Sequence, residues 1–419
     1  MKILFITFYW PPSGRATLHW PLAMIRNFAK EGIETKVLTV DEDNFTQKDI
    51  SLLPLIPSGL KVFKSKANDP FNYYKKFIGK NKNESLVSSE VISKTNNSIA
   101  HKISVWIRMN LFVPDARVGW YFSAMKMATK IFSTDKFDAV VSIGPPHTAH
   151  LIGRKISKKY NLPHVPVLID PWTDIAYYKG FKRNYFTLKI DNKLEKKVMS
   201  DASKVIFVTK ETEKDFISKY DFLKGKTKLF YWGYNESDFQ KINFNGVKPK
   251  DKTILHAGNI FDFQNPIGLW KNIKNEIAKG NNLKIKFVGT VSPLIKNSLF
   301  ENGLESVTEY LGFLPYEEVL REMVSANYLL VCSTEPRHLP GKLFEYARTG
   351  NKVIAFNNEN FEMGEFIKEG NLGIQLPYNY NGLDIFEKLE NVIPNPEIAK
   401  KYSRENIAVD FAKLLKNLI

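Results

Sequence analysis

The chain has 419 residues, 43% of them hydrophobic, which excludes a disordered protein and is enough for two or three domains, each with its own core. Sixty Lys and Arg against 44 Asp and Glu leave a formal charge of +16, which favours anionic partners such as nucleotides, nucleic acids, phosphorylated substrates or an acidic membrane face. A single cysteine, Cys332, excludes an internal disulfide framework and any multi-cysteine metal site, and it suits a reducing compartment.

The opening "MKILFITFYW" has one Lys, a short apolar run and no small-residue cleavage site before Pro11-Pro12, so it reads as a first β-strand rather than a signal peptide. Further strands are predicted at residues 34 to 40, 138 to 143, 164 to 170 and 204 to 209, with helices at 16 to 31 and 147 to 160 between them. Residues 41 to 110 break this rhythm. The segment 61 to 110 holds ten Lys or Arg against three acidic residues and includes "FNYYKKFIGKNK" (71 to 82) and "HKISVWIRMNLF" (101 to 112). Aromatics interleaved with lysines suit an anionic membrane interface; a solvated insertion is the equal alternative, since no clean amphipathic period runs through the segment. No window approaches 18 uninterrupted apolar residues, so no membrane-spanning helix is expected.

After a polar stretch from about 235 to 251 the alternation restarts, with strands predicted at 252 to 258, 283 to 289, 307 to 312, 327 to 333, 352 to 356 and 372 to 376. Cys332 lies in "YLLVCS" and reads as a buried core thiol. Alternating short apolar runs and helices describe an α/β chain of two doubly wound, Rossmann-like domains joined near residue 240, with ligands at the C-terminal ends of the strands. The expected division is 1–240, 241–395 and a C-terminal helical segment, 396–419.

Several loops carry polar groups at predicted strand ends. Gly14 sits in the first strand-to-helix turn, where the missing Cβ lets backbone N–H groups approach a phosphate, although a lone glycine there is commonly just a turn residue. "VPDARVGWY" offers Arg117, and "GPPHTAH" puts His147 at the start of a helix, facing the crevice as a hydrogen-bond donor or serving only structure. "LIDPWTD" ends a strand with Asp170, Trp172 and Asp174, of which Asp170 alternatively caps a turn. In "LPGKLFEYARTG" a Pro-Gly break admits a helix with Lys342 and Glu345 three apart on one face, closed by Gly350. A carboxylate accepts from a vicinal diol, and an ammonium beside a helix N-terminus favours phosphate; an ordinary surface pair is the bland alternative.

Taken together, "FITFYWPPSG", "PDARVGW", "GPPHTAH", "DPWTD", "LEKKVMSDASKVIFVT", "HAGNIF", "GFLPYEEVLREM" and "GKLFEYARTG" resemble, in order and over nearly the whole chain, glycosyltransferase family 4, the retaining enzymes of GT-B fold. The segment 41 to 110 is least covered. The resemblance implies two Rossmann-like domains facing a central cleft, with C-terminal helices crossing back to the first. It implies that Glu345 takes the ribose hydroxyls of a nucleotide-sugar while the helix start at Lys342 and Leu343 faces the diphosphate. Gly14 and Arg15 would approach the donor from the first domain, Gly258 and Asn259 from the second. His147 matches a position at the transferred sugar, and Arg117, Asp170 and Trp172 fall on the acceptor side. Two departures stand out. Arg337 occupies the place of the first Glu of the family's Glu-x7-Glu, with Glu335 two residues upstream, and Asn259, Gln264 and Asn265 replace the usual Arg and Lys after Gly258. Phosphate charge would then fall on Lys342, Arg337 and Arg15, with His147, Lys342 and Arg337 as the catalytic set.

The expected activity is retaining transfer of a sugar from a nucleotide-diphosphate donor to a glycan or lipid-linked acceptor, in bacterial surface polysaccharide or glycolipid synthesis; the expected location is the cytoplasm, either free or peripheral on the inner face of the cytoplasmic membrane. No metal is expected, for want of a His cluster at ligand spacing, and no cofactor beyond the nucleotide-sugar co-substrate. A nucleotide-sugar epimerase on the same fold and a non-catalytic nucleotide-sugar-binding homologue are the alternatives. No nucleic-acid recognition motif accompanies the basic charge.

Overall fold

A computed structural model describes residues 1–45, 47–67, 99–174, 183–242 and 251–419. They fall into two compact units, Met1–Tyr231 with Ala408–Ile419, and Trp232–Ile407. The first unit is built on β1 (Lys2–Ile6), β2 (Glu34–Val40), β3 (Lys61–Ser65), β4 (Ala139–Gly144), β5 (His164–Leu168), β6 (Val205–Phe207) and β7 (Thr227–Leu229), in the order β3-β2-β1-β4-β5-β6-β7. All neighbours are parallel, with Ile3 opposite Thr35 on one side and Ala139 on the other. β1, β4 and β5 are nearly continuous apolar runs because helices cover both faces of the sheet. One face packs Leu4, Ile6, Leu38 and Val140 against Ala124, Ala128, Ile152 and Ile156 of the helices Trp120–Phe132 and Thr148–Tyr160. Lys36, buried in the middle of β2, is tolerated because its ammonium pairs with Asp135.

The five strands predicted in this half all form. The sheet gains two more at its edges, β3 and β7, so part of the expected insertion is sheet. The aromatic and basic stretch 71–82 lies outside the described residues, whereas 101–112 falls on the helix Ile99–Leu111.

The second unit contains β8 (Lys252–Ala257), β9 (Leu283–Val288), β10 (Thr308–Gly312), β11 (Tyr328–Cys332), β12 (Lys352–Phe356) and β13 (Gly373–Leu376), parallel and in the order β10-β9-β8-β11-β12-β13. All six strands occur where the sequence places them. The helix Lys342–Thr349 starts at Gly341 and stops at Gly350, whose left-handed φ of 69° lets its N–H close onto the Ala347 carbonyl.

The joint between units falls at 231/232 rather than near 240, because residues 232–239 are tied into the second unit. Tyr234 exchanges backbone hydrogen bonds with Tyr402 (3.2 Å) and Arg404 (2.8 Å), and Arg348 grips Glu236 with both Nε and Nη2, at 2.6 and 2.7 Å. Likewise only Ala408–Ile419 of the C-terminal segment joins the first unit. There Phe411 of the last helix, Arg404–Lys416, meets the rings of Trp20, Phe28 and Phe230 with centroids 5.9, 5.4 and 5.3 Å away. A fully buried Phe of this kind contributes roughly 1.5–3 kcal/mol.

Candidate functional site

In the second unit the chain runs outward from β8 to β9 and β10, then returns to the other side of β8 as β11, so β8 and β11 flank a topological switch point. The two strands pair only at Ile254–Tyr328 and Leu255–Leu329 and then part. Tyr346 fills the fork. Its hydroxyl accepts from the Ala257 N–H (3.0 Å) and donates to the Leu330 carbonyl (3.3 Å). His256 Nδ1 donates to the same carbonyl at 3.1 Å, which leaves Nε2 as an acceptor 3.2 Å from Lys342 Nζ. Burial, and then the charge of Lys342, hold the His256 imidazole well below its usual pKa, so it stays neutral.

Lys342 lies against the backbone of Gly258, whose φ of +102° requires glycine; a Cβ there would come within 3.1 Å of the ammonium. Burial pulls the Lys342 pKa down to about 8, against the opposing pull of the Cys332 sulfur and the Glu345 carboxylate. No side chain caps the helix start at Gly341. One turn on, Glu345 accepts from the Tyr316 hydroxyl at 2.6 Å, and burial raises its pKa against that bond and the charges of Arg404 and Lys342. Leu343, Phe344, Tyr346 and Ala347 make the buried face of this helix, so Lys342 and Glu345 share the opposite one. The resulting surface offers a cation beside a helix N-terminus and, next to it, a carboxylate held by a phenol. Such an arrangement can take a phosphate and a diol side by side.

Lys342 is mostly neutral above pH 8, and a bound diphosphate favours its charged form. Nucleotide affinity is therefore expected to fall as pH rises past about 8. Calorimetry at pH 8 in two buffers of different ionisation enthalpy checks this, with proton uptake on binding as the expected result and a pH-independent affinity up to pH 9.5 as the contrary one.

Other expected donor groups are placed differently. Leu343 is fully buried and its N–H closes onto the Pro340 carbonyl (2.9 Å), so its side chain belongs to the core. Asn259 is exposed beside Gly258, but its Oδ1 accepts from the Thr290 N–H at 3.0 Å and ties the loops after β8 and β9 together. Arg337 stands on the loop before the helix with Nε 3.3 Å from Glu335, so part of its charge is already engaged. Cys332 is buried, and burial pushes its thiol up to about 12, which makes it inert.

In the first unit the quoted loops converge on the C-terminal edge of the sheet. Asp115, a residue the sequence did not single out, accepts from the Thr148 N–H and hydroxyl, both at 2.9 Å, and so joins the Arg117 loop to the start of the helix after His147. Arg117 lies over the Phe8 ring at 5.2 Å, and Arg15 lies 5.9 Å from the Tyr9 ring. His147 stacks on Trp172 with centroids 4.8 Å apart and planes within 7°, and burial, opposed by the backbone of Pro171, pulls its pKa to about 3. Trp172 is itself core, its Nε1 donating to Asp191 at 2.8 Å, so it backs His147 instead of facing a ligand. Glu195 of the helix Tyr185–Asp201 holds the same loop through the Thr173 N–H (3.1 Å). Gly14 gives its own N–H to the Gln47 carbonyl at 3.0 Å and is stitched into that turn.

Asp170 remains at the strand end, where burial pushes its pKa up to about 6. A carboxyl raised in the folded state binds its proton more tightly there than when unfolded, so stability is fully present below pH 4 and declines as pH rises from about 4 to 6. Asp170→Asn is expected to remove that slope and to gain on the order of 2 kcal/mol at pH 7.5; urea titrations of both proteins at pH 4.5 and 7.5 measure it, and parallel pH dependences count against it.

Among the described residues, no group of three or more His, Cys, Asp or Glu is placed to hold a metal ion. The expectation of no metal also took the chain to lack an Asp-x-Asp, but Asp41-Glu42-Asp43 is one; it forms a turn in which Asp41 accepts from the Asp43 N–H at 3.3 Å and Glu42 pairs with Lys64.

Two doubly wound parallel units of seven and six strands, with the chain's last helix packed into the first unit, define the GT-B fold, the architecture of many glycosyltransferases. Among solved structures the chain is similar to Anabaena HepE in complex with UDP, at 15% identity over all of both chains with a TM-score of 0.61. It is also similar to sucrose-phosphate synthase from Thermosynechococcus elongatus (12% identity, 100% of this chain and 98% of that one, TM-score 0.59) and to the lipopolysaccharide outer core galactosyltransferase WaaB (14%, 99% and 100%, 0.56). No protein-family model matches the chain, and no curated protein matches it in sequence.

Proposed function

We propose that this protein is a retaining glycosyltransferase of the family 4 type, which moves a sugar from a nucleotide-diphosphate donor to a glycan or lipid-linked acceptor. The observation that carries the reading is the juxtaposition of Gly258, Lys342 and Glu345 at the β8/β11 switch point. In this reading Lys342 and the helix N-terminus bind the diphosphate and Glu345 binds the ribose; UDP in the HepE complex and the galactosyltransferase WaaB agree with a nucleotide-sugar donor. In the same reading His147 lies at the transferred sugar, and Arg117 and Asp170 belong to the acceptor side.

Breaking the bond from the anomeric carbon to the β-phosphate oxygen places negative charge on that oxygen and positive charge on the sugar. Lys342 offsets the first. The acceptor oxygen then bonds to the anomeric carbon on the same face, and its proton passes to the departing phosphate. Thermal-shift measurements with UDP-, GDP-, dTDP- and ADP-sugars test donor binding, since a ligand stabilises the fold by mass action. Product NMR tests the stereochemistry: an inverted anomeric centre rules out the retaining mechanism, and turnover of the donor without an acceptor favours an epimerase.

Peripheral contact with an anionic membrane is supported by Ile103, Trp106, Ile107 and Leu111, exposed at helical spacing on Ile99–Leu111, and by Lys126, Lys155, Lys158 and Lys159, which line a basic concavity of the same unit. Co-flotation with phosphatidylglycerol vesicles, lost in Trp106→Asp, is the expected result; equal flotation of the variant would remove that helix from the reading.

A further inference from the structure

The helix Tyr185–Asp201 has two unlike faces. Its buried side carries two acids, both already engaged: Asp191 accepts from Trp172 Nε1 at 2.8 Å and from Arg183 Nη2 at 2.7 Å, and Glu195 accepts from the Thr173 N–H and, at 2.7 Å, from the Tyr220 hydroxyl. The third acid, Asp201 at the helix end, pairs with Arg154 and Lys158, which line the basic concavity. The charges left on the exposed side are all cations, those of Lys189, Lys193, Lys196 and Lys197. At about 3.6 residues per turn, Tyr185, Phe186 and Ile190 stand on that same side, exposed by 70, 74 and 52%. They do not belong to a fraying end. Asn184 caps the first turn by accepting from the Thr187 N–H at 2.7 Å, its own N–H donates to Asn110 Oδ1 at 2.6 Å, and Thr187 Oγ1 donates to the Asn110 carbonyl at 2.9 Å. The turn that shows Tyr185 and Phe186 is thereby pinned to the end of Ile99–Leu111, next to exposed Leu111. Rings held in water on a fixed turn, with Lys189 Nζ 5.8 Å from the Tyr185 ring, mark a surface that a partner covers.

We propose that this exposed face is a docking surface for an anionic phospholipid bilayer: Tyr185, Phe186 and Ile190 enter the headgroup layer, and the four lysines meet lipid phosphates. This rests on the membrane reading above and goes past it, since it adds a second helix and ties docking to the acceptor side. Charge decides the occupant. A second copy of the chain would set lysine against lysine, and an uncharged apolar partner would leave the ammonium groups without counter-charge. An acidic bilayer offers apolar depth for the rings and phosphate for the lysines, whose stems lie along the apolar layer. The buried side of the same helix holds Trp172 and Thr173, and Trp172 backs His147. Docking therefore places that loop about 10 Å, one helix diameter, from the lipid surface, within reach of the headgroup of an acceptor carried in the bilayer.

The full chain is floated with phosphatidylcholine vesicles, with and without phosphatidylglycerol. Wild type is expected to float only with the anionic vesicles, and less so as salt rises. Tyr185→Ser/Phe186→Ser is expected to weaken partitioning by about tenfold or more, and Lys193→Gln/Lys197→Gln by about fivefold for each lysine removed. Phe313→Ser, which removes a still more exposed ring from the second unit, should change nothing. All of these side chains are exposed, and thermal melting checks that the variants fold. In a second arm the Ile190→Cys variant is labelled with an environment-sensitive thiol dye; Cys332 is buried, so position 190 alone takes the label, and its emission should shift to the blue with anionic vesicles. Flotation of Tyr185→Ser/Phe186→Ser equal to wild type, or an unshifted dye, overturns the proposal. If that variant floats while Trp106→Asp does not, contact through Ile99–Leu111 stands without this helix; if wild type does not float at all, the membrane reading falls with the proposal. A dimer in sedimentation that Tyr185→Ser/Phe186→Ser abolishes would make the face an interface between copies and would equally overturn it.

Discussion

Replacing Lys342 by alanine is expected to slow sugar transfer by about 100- to 1,000-fold, roughly 3 to 4 kcal/mol by analogy with removing one donor aimed at developing anionic charge. The ammonium sits where β8, β11 and the helix Lys342–Thr349 meet, beside the exposed backbone of Gly258 and the neutral His256. Charge on the leaving phosphate grows as the glycosidic bond breaks, so the loss should appear mainly in kcat, with a smaller change in KM. The fold should survive, because the substitution removes a cation whose burial already lowers its pKa to about 8. Lys342→Met keeps the apolar stem and should be equally slow, which separates lost charge from lost packing. Arginine should not rescue, since its planar fork does not fit the gap between Gly258 and His256. Single-turnover rates within threefold of wild type would place the phosphate elsewhere.

Glu345→Ala is expected to weaken nucleoside diphosphate binding by about 1 to 3 kcal/mol, since it strips the acceptor from two ribose hydroxyls that the protein otherwise desolvates. The argument is specific to the sugar of the nucleotide. Wild type should therefore prefer whichever of UDP, GDP or ADP it binds over that nucleotide's 2′-deoxy form, and the preference should collapse in the variant while the contribution of the diphosphate remains. Nucleotide affinity unchanged by calorimetry would mean that Glu345 serves only its bond to Tyr316.

Much of the architecture is legible from local pattern. A strand buried on both faces must be nearly all apolar, and β1, β4, β11 and β12 announce themselves that way. The edge strands β3 and β7 do not, because "KVFKS" and "TKL" are short, have one side open and carry lysine. The helix at Lys342 is likewise readable end to end, since the Pro340-Gly341 break precedes it and Gly350, in the left-handed region, closes it. Side-chain facing was harder. Spacing puts Lys342 and Glu345 on one face, but it does not say that Leu343 and Trp172 turn inward to the core.

What the sequence by itself determined is the pair of parallel α/β units, the order of their strands along the chain, and the stretches that stand at strand ends, since each follows from periodicity and turn chemistry within a few residues. Only the tertiary structure decided which polar groups meet: Tyr316 on Glu345, His256 on Lys342, and Asp115 on Thr148. Those meetings join residues 29 to 86 positions apart, and no local rule encodes them. The His256–Lys342 meeting arises where the crossover order returns β11 beside β8 and leaves a fork that Tyr346 fills.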